Sequence, residues 1–186
     1  MGKYIKDIQT MNRDDIITLA TVLVGSVVFM WVYSTGRGTR NYQNNNNMSN
    51  QKLPRGYRNN NPLNIRISAA NQWQGEVENN TDGSFEQFVA MEYGYRAALK
   101  LIRNYITKDG LTTVAQIISK WAPNNENNTA GYIQRVIGIN SWTPGKVIDA
   151  YNAQDMADLV YAMAIVENGN TILPDYTQIY KGWALL

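Results

Sequence analysis

The chain has 186 residues, with 17 Lys and Arg against 15 Asp and Glu and with neither Cys nor His. Without cysteine there is no disulfide framework, thiol nucleophile or thiolate metal site; without histidine there is no Ser-His-Asp or Cys-His triad, no imidazole base and almost no zinc chemistry. Catalysis in such a chain has to run on carboxylates, helped by Tyr, Lys, Arg, Ser, Thr or amide groups.

Charge divides the chain unevenly. Residues 1–40 hold five Lys/Arg and three Asp/Glu, whereas residues 41–186 hold twelve of each. Past residue 40 there is no basic stripe, so a nucleic-acid partner is not expected. Asn occurs 23 times, often in runs, and supplies left-handed turns and uncharged amide hydrogen bonds.

After a short N-terminal segment (1–15), residues 16–34 read IITLATVLVGSVVFMWVYS, 19 residues without a charge. As a helix this run spans about 28 Å, close to the apolar thickness of a bilayer. Arg13, Asp14 and Asp15 precede it, Arg37 and Arg40 follow it, and Trp31 and Tyr33 fall where an interfacial aromatic belt lies. The apolar core is too long for a cleaved signal peptide, and no A-x-A-like site follows. A single transmembrane helix is therefore expected, with a lipid membrane as partner. Residues 35–51, rich in Gly, Asn and Ser, read as a linker.

Residues 52–186 suffice for one core. Asn59-Asn60-Asn61-Pro62 is turn chemistry, and Leu63, Ile65 and Ile67 alternate as a short strand. Residues 73–77 and 84–89 flank Asp82-Gly83 and read as a β-hairpin. The period then becomes helical. Met91, Tyr95, Ala98, Leu99, Ile102, Tyr105 and Ile106 form one stripe that Gly110 ends. Thr113 with Gln116 is a capping box, opening a helix through Trp121 that Ala122-Pro123 stops. Thr129 is the expected cap of a third helix and Asn152 of a fourth, which Gly169 closes. The tail from Ile179 to Leu186 is apolar and aromatic and is expected to pack. The fold class is α+β, mainly helical, with a small hairpin element.

Glu167 is the leading candidate for chemistry. It ends the apolar run Ala162-Met163-Ala164-Ile165-Val166, where the negative end of the helix dipole costs a carboxylate about 0.3–1 kcal/mol. Apolar neighbours disfavour its charge further. Such a position suits a general acid that must hold a proton until a glycosidic oxygen needs it. The plain alternative is a helix-ending Glu on the solvent side. Glu76, Glu78, Asp82 and Glu86 are candidates for a second carboxylate, with surface strand positions as the alternative. Aromatic residues, Trp73, Tyr95, Trp121 and Tyr132 among them, can stack on sugars or pack in the core. The Asn runs can bond sugar hydroxyls or simply form loops.

Several motifs occur together: Arg58-Asn59-Asn60-Asn61-Pro62-Leu63-Asn64-Ile65-Arg66, Trp73-Gln74-Gly75-Glu76, Phe85-Glu86-Gln87-Phe88, Tyr93-Gly94-Tyr95-Arg96-Ala97, Trp121-Ala122-Pro123, Glu126-Asn127-Asn128-Thr129 with Tyr132, and Glu167-Asn168-Gly169. In this combination, over about Arg55 to Trp183, the chain resembles a family of small phage and prophage virion proteins. Their domains are similar to lysozyme-like, peptidoglycan-cleaving enzymes. The catalytic Glu of that superfamily usually ends a helix early in the domain, in a Glu-Ser-Gly-like context. Here Glu167-Asn168-Gly169 lies late, so the resemblance implies a circularly permuted order, and Asn168 stands where Ser is usual.

The resemblance implies a membrane-anchored lytic transglycosylase or muramidase acting in phage entry. It would be a single-pass protein of a virion's internal membrane, with glycan strands of peptidoglycan as its partner. Glu167 is the implied acid, with Glu76 or Asp82 as the second carboxylate that a hydrolase requires. Asn61, Asn64, Trp73, Tyr95, Tyr132 and Asn168 are the implied substrate-binding residues. No cofactor or metal is needed. The alternative is an inert structural protein that links the internal membrane to capsid or vertex proteins and to copies of itself.

Overall fold

A computed structural model describes residues 53–125 and 128–186. The N-terminal segment (1–15), the expected membrane helix (16–34) and the linker (35–51) lie outside the described residues. Among the described residues no helix is long and apolar enough to cross a membrane.

Six helices occur among the described residues: α1 (Arg55–Arg58), α2 (Met91–Thr107), α3 (Val114–Trp121), α4 (Thr129–Asn140), α5 (Ala153–Asn168) and α6 (Tyr176–Ala184). The architecture is mainly helical. α5 forms its centre: Met156, Leu159, Val160, Ala162, Met163 and Ala164 are fully buried. A helix apolar on most sides must be surrounded, and α1, α2, α4 and α6 pack against it. Each of its large aliphatic side chains contributes about 1.5–3 kcal/mol by leaving water.

The helix boundaries follow local chemistry. Thr113 accepts from Gln116 N while Gln116 Oε1 accepts from Thr113 N at 3.0 Å, closing the capping box of α3. The Asn152 side chain caps α5 through Gln154 N and Asp155 N, and Gly169, at φ 78°, terminates it. α2 stops at Thr107, three residues before Gly110. At α4 the expected cap shifts by one residue. Asn128 accepts from Gly131 N at 2.9 Å, whereas Thr129 begins the helix and donates its hydroxyl to Ala122 O, tying α4 to the end of α3. The C-terminal tail forms α6, capped by Asp175 through Thr177 N and packed on α2.

The expected strand and hairpin reduce to isolated antiparallel bridges. Phe85 pairs with Arg66 and Phe88 with Glu76. The segments run side by side, with Glu86 N bonded to Ile65 O and Val77 N to Gln87 O, both at 2.8 Å. Two features keep a ladder from growing. Gly75 sits at φ 76°, outside the β region. The carbonyls of Phe85, Glu86 and Phe88 accept from the side-chain amides of Asn80, Asn61 and Asn60 instead of from a neighbouring strand. Asparagine thus substitutes for a sheet partner. The reversal at Asp82-Gly83 does form: Asp82 Oδ1 accepts from Ser84 N and Phe85 N, and Gly83 takes φ 74°.

Two carboxylates in this region titrate in opposite senses. Asp82 lies far below the usual carboxylate range, chiefly because the Arg55 guanidinium donates to it, with Asn59 Nδ2 adding a further bond at 2.7 Å. Glu86 is only 1% exposed and is raised, first by burial and then by the charge of Glu76. A depressed acid contributes stability that is lost as pH falls through its folded value. A raised acid contributes stability that is lost as pH rises through its folded value. Glu86→Gln keeps the acceptor for Ser68 N and removes the ionisation. Melting curves should therefore show the variant more stable than wild type near about pH 7, and the advantage should shrink as pH falls and vanish near about pH 3, where Glu86 is neutral in both states. A constant difference across that range would rule out Glu86 as the titrating group.

Candidate functional site

Four segments distant in sequence meet at the carboxylate of Glu167. α5 presents it one residue before the helix ends, half-buried. Tyr132, in the first turn of α4, donates its hydroxyl to Glu167 Oε1 at 2.9 Å. Trp121, the last residue of α3, directs its indole N–H at the same oxygen over 3.4 Å. Asn64 Nδ2 reaches Oε2 at 3.0 Å. Three donors therefore hold one carboxylate as an acceptor on both oxygens.

Each donor is placed by local structure. Tyr132 is set by the cap of α4, since Tyr132 N bonds Asn128 O at 3.0 Å in the same turn that Asn128 closes. Burial, then the charge of Glu167 and its hydrogen bond, hold the Tyr132 phenol well above its ordinary value, with Arg135 opposing. The hydroxyl therefore stays protonated and keeps donating. Asn64 occupies the left-handed region at φ 49°, which Asn tolerates better than most residues. Its loop is fastened by Asn61, fully buried, which donates to Ile65 O and Glu86 O and accepts from Ile65 N. Asn168 pins the same loop to α5 by donating to Pro62 O at 2.7 Å and Ala164 O at 2.9 Å.

The remaining candidates lie elsewhere or act differently. Asp82 is bound to Arg55 and Asn59. Glu76 is exposed and accepts from Trp73 N at 3.1 Å. Among the described residues, neither carboxylate hydrogen-bonds to Glu167 or to its three donors. Trp73 is half-buried against the core. Tyr95 is 1% exposed inside the core, where no glycan reaches its ring. Asn61 is sealed as well, so it and Asn168 shape the site through the 59–64 loop. Among the described residues no cluster of acidic side chains is arranged to hold a metal ion. The indole of Trp121 is a contributor that sequence reasoning treated only as a stacking or packing group; its N–H donor offered a signal, its 46-residue separation from Glu167 did not.

An open depression of about 500 Å³ lies along α4 and the end of α5, lined by Gln134, Arg135, Gly138 and Ile139 of α4 and by Ile165, Gly169 and Asn170. Gly138 interrupts the helix interior, where glycine costs about 1 kcal/mol relative to alanine. A Cβ there would meet nothing within 4 Å, so internal packing does not require the glycine.

Over 131 residues the chain is 37% identical to Protein P5 of Pseudoalteromonas phage PM2, a match that takes in 69% of this chain and 79% of the phage protein. The chain belongs to the Protein P5 family. No family model matches the sequence. Membership of the P5 family makes this a phage-type protein and leaves its chemistry to be argued from the Glu167 cluster.

Proposed function

We propose that this member of the P5 family is a virion-associated, membrane-anchored enzyme with a lysozyme-like domain that cleaves peptidoglycan glycan strands, and that Glu167 is its acid and base. The observation that carries the reading is the convergence of Asn64, Trp121 and Tyr132 on one half-exposed carboxylate. Fixed donors orient the group, while its partial exposure leaves it open to a reactant. A positioned carboxylic acid of this kind supplies about 10²–10⁴-fold in proton transfer.

The lytic transglycosylase route fits these residues better than the muramidase route. A hydrolase needs a second carboxylate close enough to the scissile bond to act on water or on the sugar. Glu76 and Asp82 are committed to other partners, and neither joins the Glu167 cluster. In the transglycosylase route Glu167 gives its proton to the bridging oxygen as the bond to the MurNAc carbon breaks. It then takes a proton from a hydroxyl of the same MurNAc as that oxygen closes onto the carbon. One carboxyl group ends as it began, and no water is consumed.

The test is digestion of purified sacculi by the detergent-solubilised full chain, with the products weighed by mass spectrometry. Soluble muropeptides with anhydro ends are the expected result. Reducing ends would move the assignment to a hydrolase. The second reading, an inert domain linking the internal membrane to capsid or vertex proteins, draws on the same cluster: three donors on one carboxylate also cross-link four segments. Intact sacculi together with capture of capsid protein would favour it.

A further inference from the structure

The chemistry assigned to Glu167 leaves the depression along α4 and the end of α5 unused. Ile139 and the nearly buried Ile165 supply its apolar lining, and Gln134 and Asn170 add polar groups. Its rim carries the exposed Arg135, which no carboxylate pairs among the described residues. Arg135 follows Tyr132, the residue that donates to Glu167, by three positions in α4, so the two share one side of the helix. Gly138 and Gly169 contribute no side chain to it, and a Cβ on either would meet nothing within 4 Å. Room, two isoleucines and an exposed guanidinium one helical turn from the residue that donates to Glu167, unpaired among the described residues, together describe a pocket for an anion with small apolar parts.

We infer that this depression is a subsite for the acidic substituent of the muramic sugar, with Arg135 binding its carboxylate and Ile139 and Ile165 receiving its methyl groups. The inference rests on the glycan-cleaving reading and deepens it by making Arg135 a specificity determinant. A guanidinium matches a carboxylate with two parallel hydrogen bonds, a geometry that Gln cannot reproduce and Lys reproduces only as a point charge. Two carboxylates could fill the role: one on the stem peptide, or the lactyl carboxylate that is exposed when the peptide is removed. A polymer of GlcNAc has neither.

Binding, rather than lysis, tests this. The full chain in detergent, carrying Glu167→Gln so that the glycan survives, is offered to immobilised sacculi, to amidase-stripped strands and to chitin oligomers. Adding Arg135→Gln should weaken binding to sacculi about tenfold, Arg135→Lys should recover part of the loss, and chitin binding should not change. On stripped strands, an Arg135 dependence that persists places the bound carboxylate on the lactyl group, and one that disappears places it on the stem peptide. Gly138→Leu, whose Cβ meets nothing within 4 Å and whose side chain extends into the depression, should abolish the preference for sacculi over chitin while leaving the melting temperature unchanged or higher. Equal binding by Arg135→Gln and its parent, an equal loss on chitin, or no binding to sacculi at all overturns the subsite. Arg135-dependent binding by a protein whose wild type leaves sacculi intact would instead fail the catalytic reading alone.

Discussion

Glu167→Gln is expected to reduce release of soluble muropeptides by at least about 10²-fold while shifting stability by no more than about 1 kcal/mol. The second half of that expectation makes the first interpretable. Glutamine has the shape of glutamate, and its amide oxygen can keep the bonds from Tyr132 and Trp121. Its amide nitrogen then faces Asn64, whose Nδ2 now donates to Oε2. Asn64 can turn its amide over and accept instead, because its Oδ1 is buried and has no partner among the described residues. The cluster therefore survives the loss of the acid, and only the transferable proton is removed. Lysis at the wild-type rate would take Glu167 out of the mechanism. Loss of lysis together with a collapse in melting temperature would show that the residue acts as a cross-link. Tyr132→Phe separates the two roles further, since it removes a donor without touching the carboxyl group.

What could be read from the sequence divides by the range of the interactions involved. The capping box of Thr113 and Gln116, the Asn152 cap and the Gly169 terminator all involve partners within a few residues. Local chemistry set them, and the structure has them. The shift from Thr129 to Asn128 is the same kind of reading off by one position: Asn and Thr both cap, and the contact that assigns Thr129 elsewhere, its bond to Ala122 O, runs back across a corner. The hairpin failed to become a ladder for a non-local reason. Alternation and Asp82-Gly83 predicted pairing correctly at Glu76 and Phe88, but Asn60 and Asn61 arrive from more than 20 residues away to occupy the carbonyls a sheet would use. Glu167 stood out because a carboxylate ends an otherwise apolar helix. Its donors come from 103, 46 and 35 residues away. No periodicity or motif spacing encodes a convergence of that kind; the packing of α3, α4 and the 59–64 loop around the end of α5 creates it.

The same loop carries the largest expected stability effect. Gly94, buried in the first turn of α2, has no room for a side chain: an added Cβ would fall on the carbonyl oxygen of Asn60, with Pro62 Cδ 2.9 Å away. The obstacle is backbone, so no rotamer change relieves it; either α2 or the loop has to move. The loop resists, since Asn61 and Asn168 hold it to Ile65, Glu86 and α5 by side-chain hydrogen bonds. Gly94→Ala should therefore cost about 3 kcal/mol, at the upper end of overpacking effects, or about 10 °C in melting temperature for a domain of this size. Whatever displacement the loop accepts also carries Asn64 away from Glu167, so glycan cleavage should fall further than the unfolded fraction explains. Gly138→Ala is the matched control. It sits in a helix interior with open space, and should be neutral or stabilise by up to about 1 kcal/mol. Gly94→Ala melting with wild type would mean that the 59–64 loop yields freely, and a loop that yields freely cannot be what fixes Asn64 on the carboxylate.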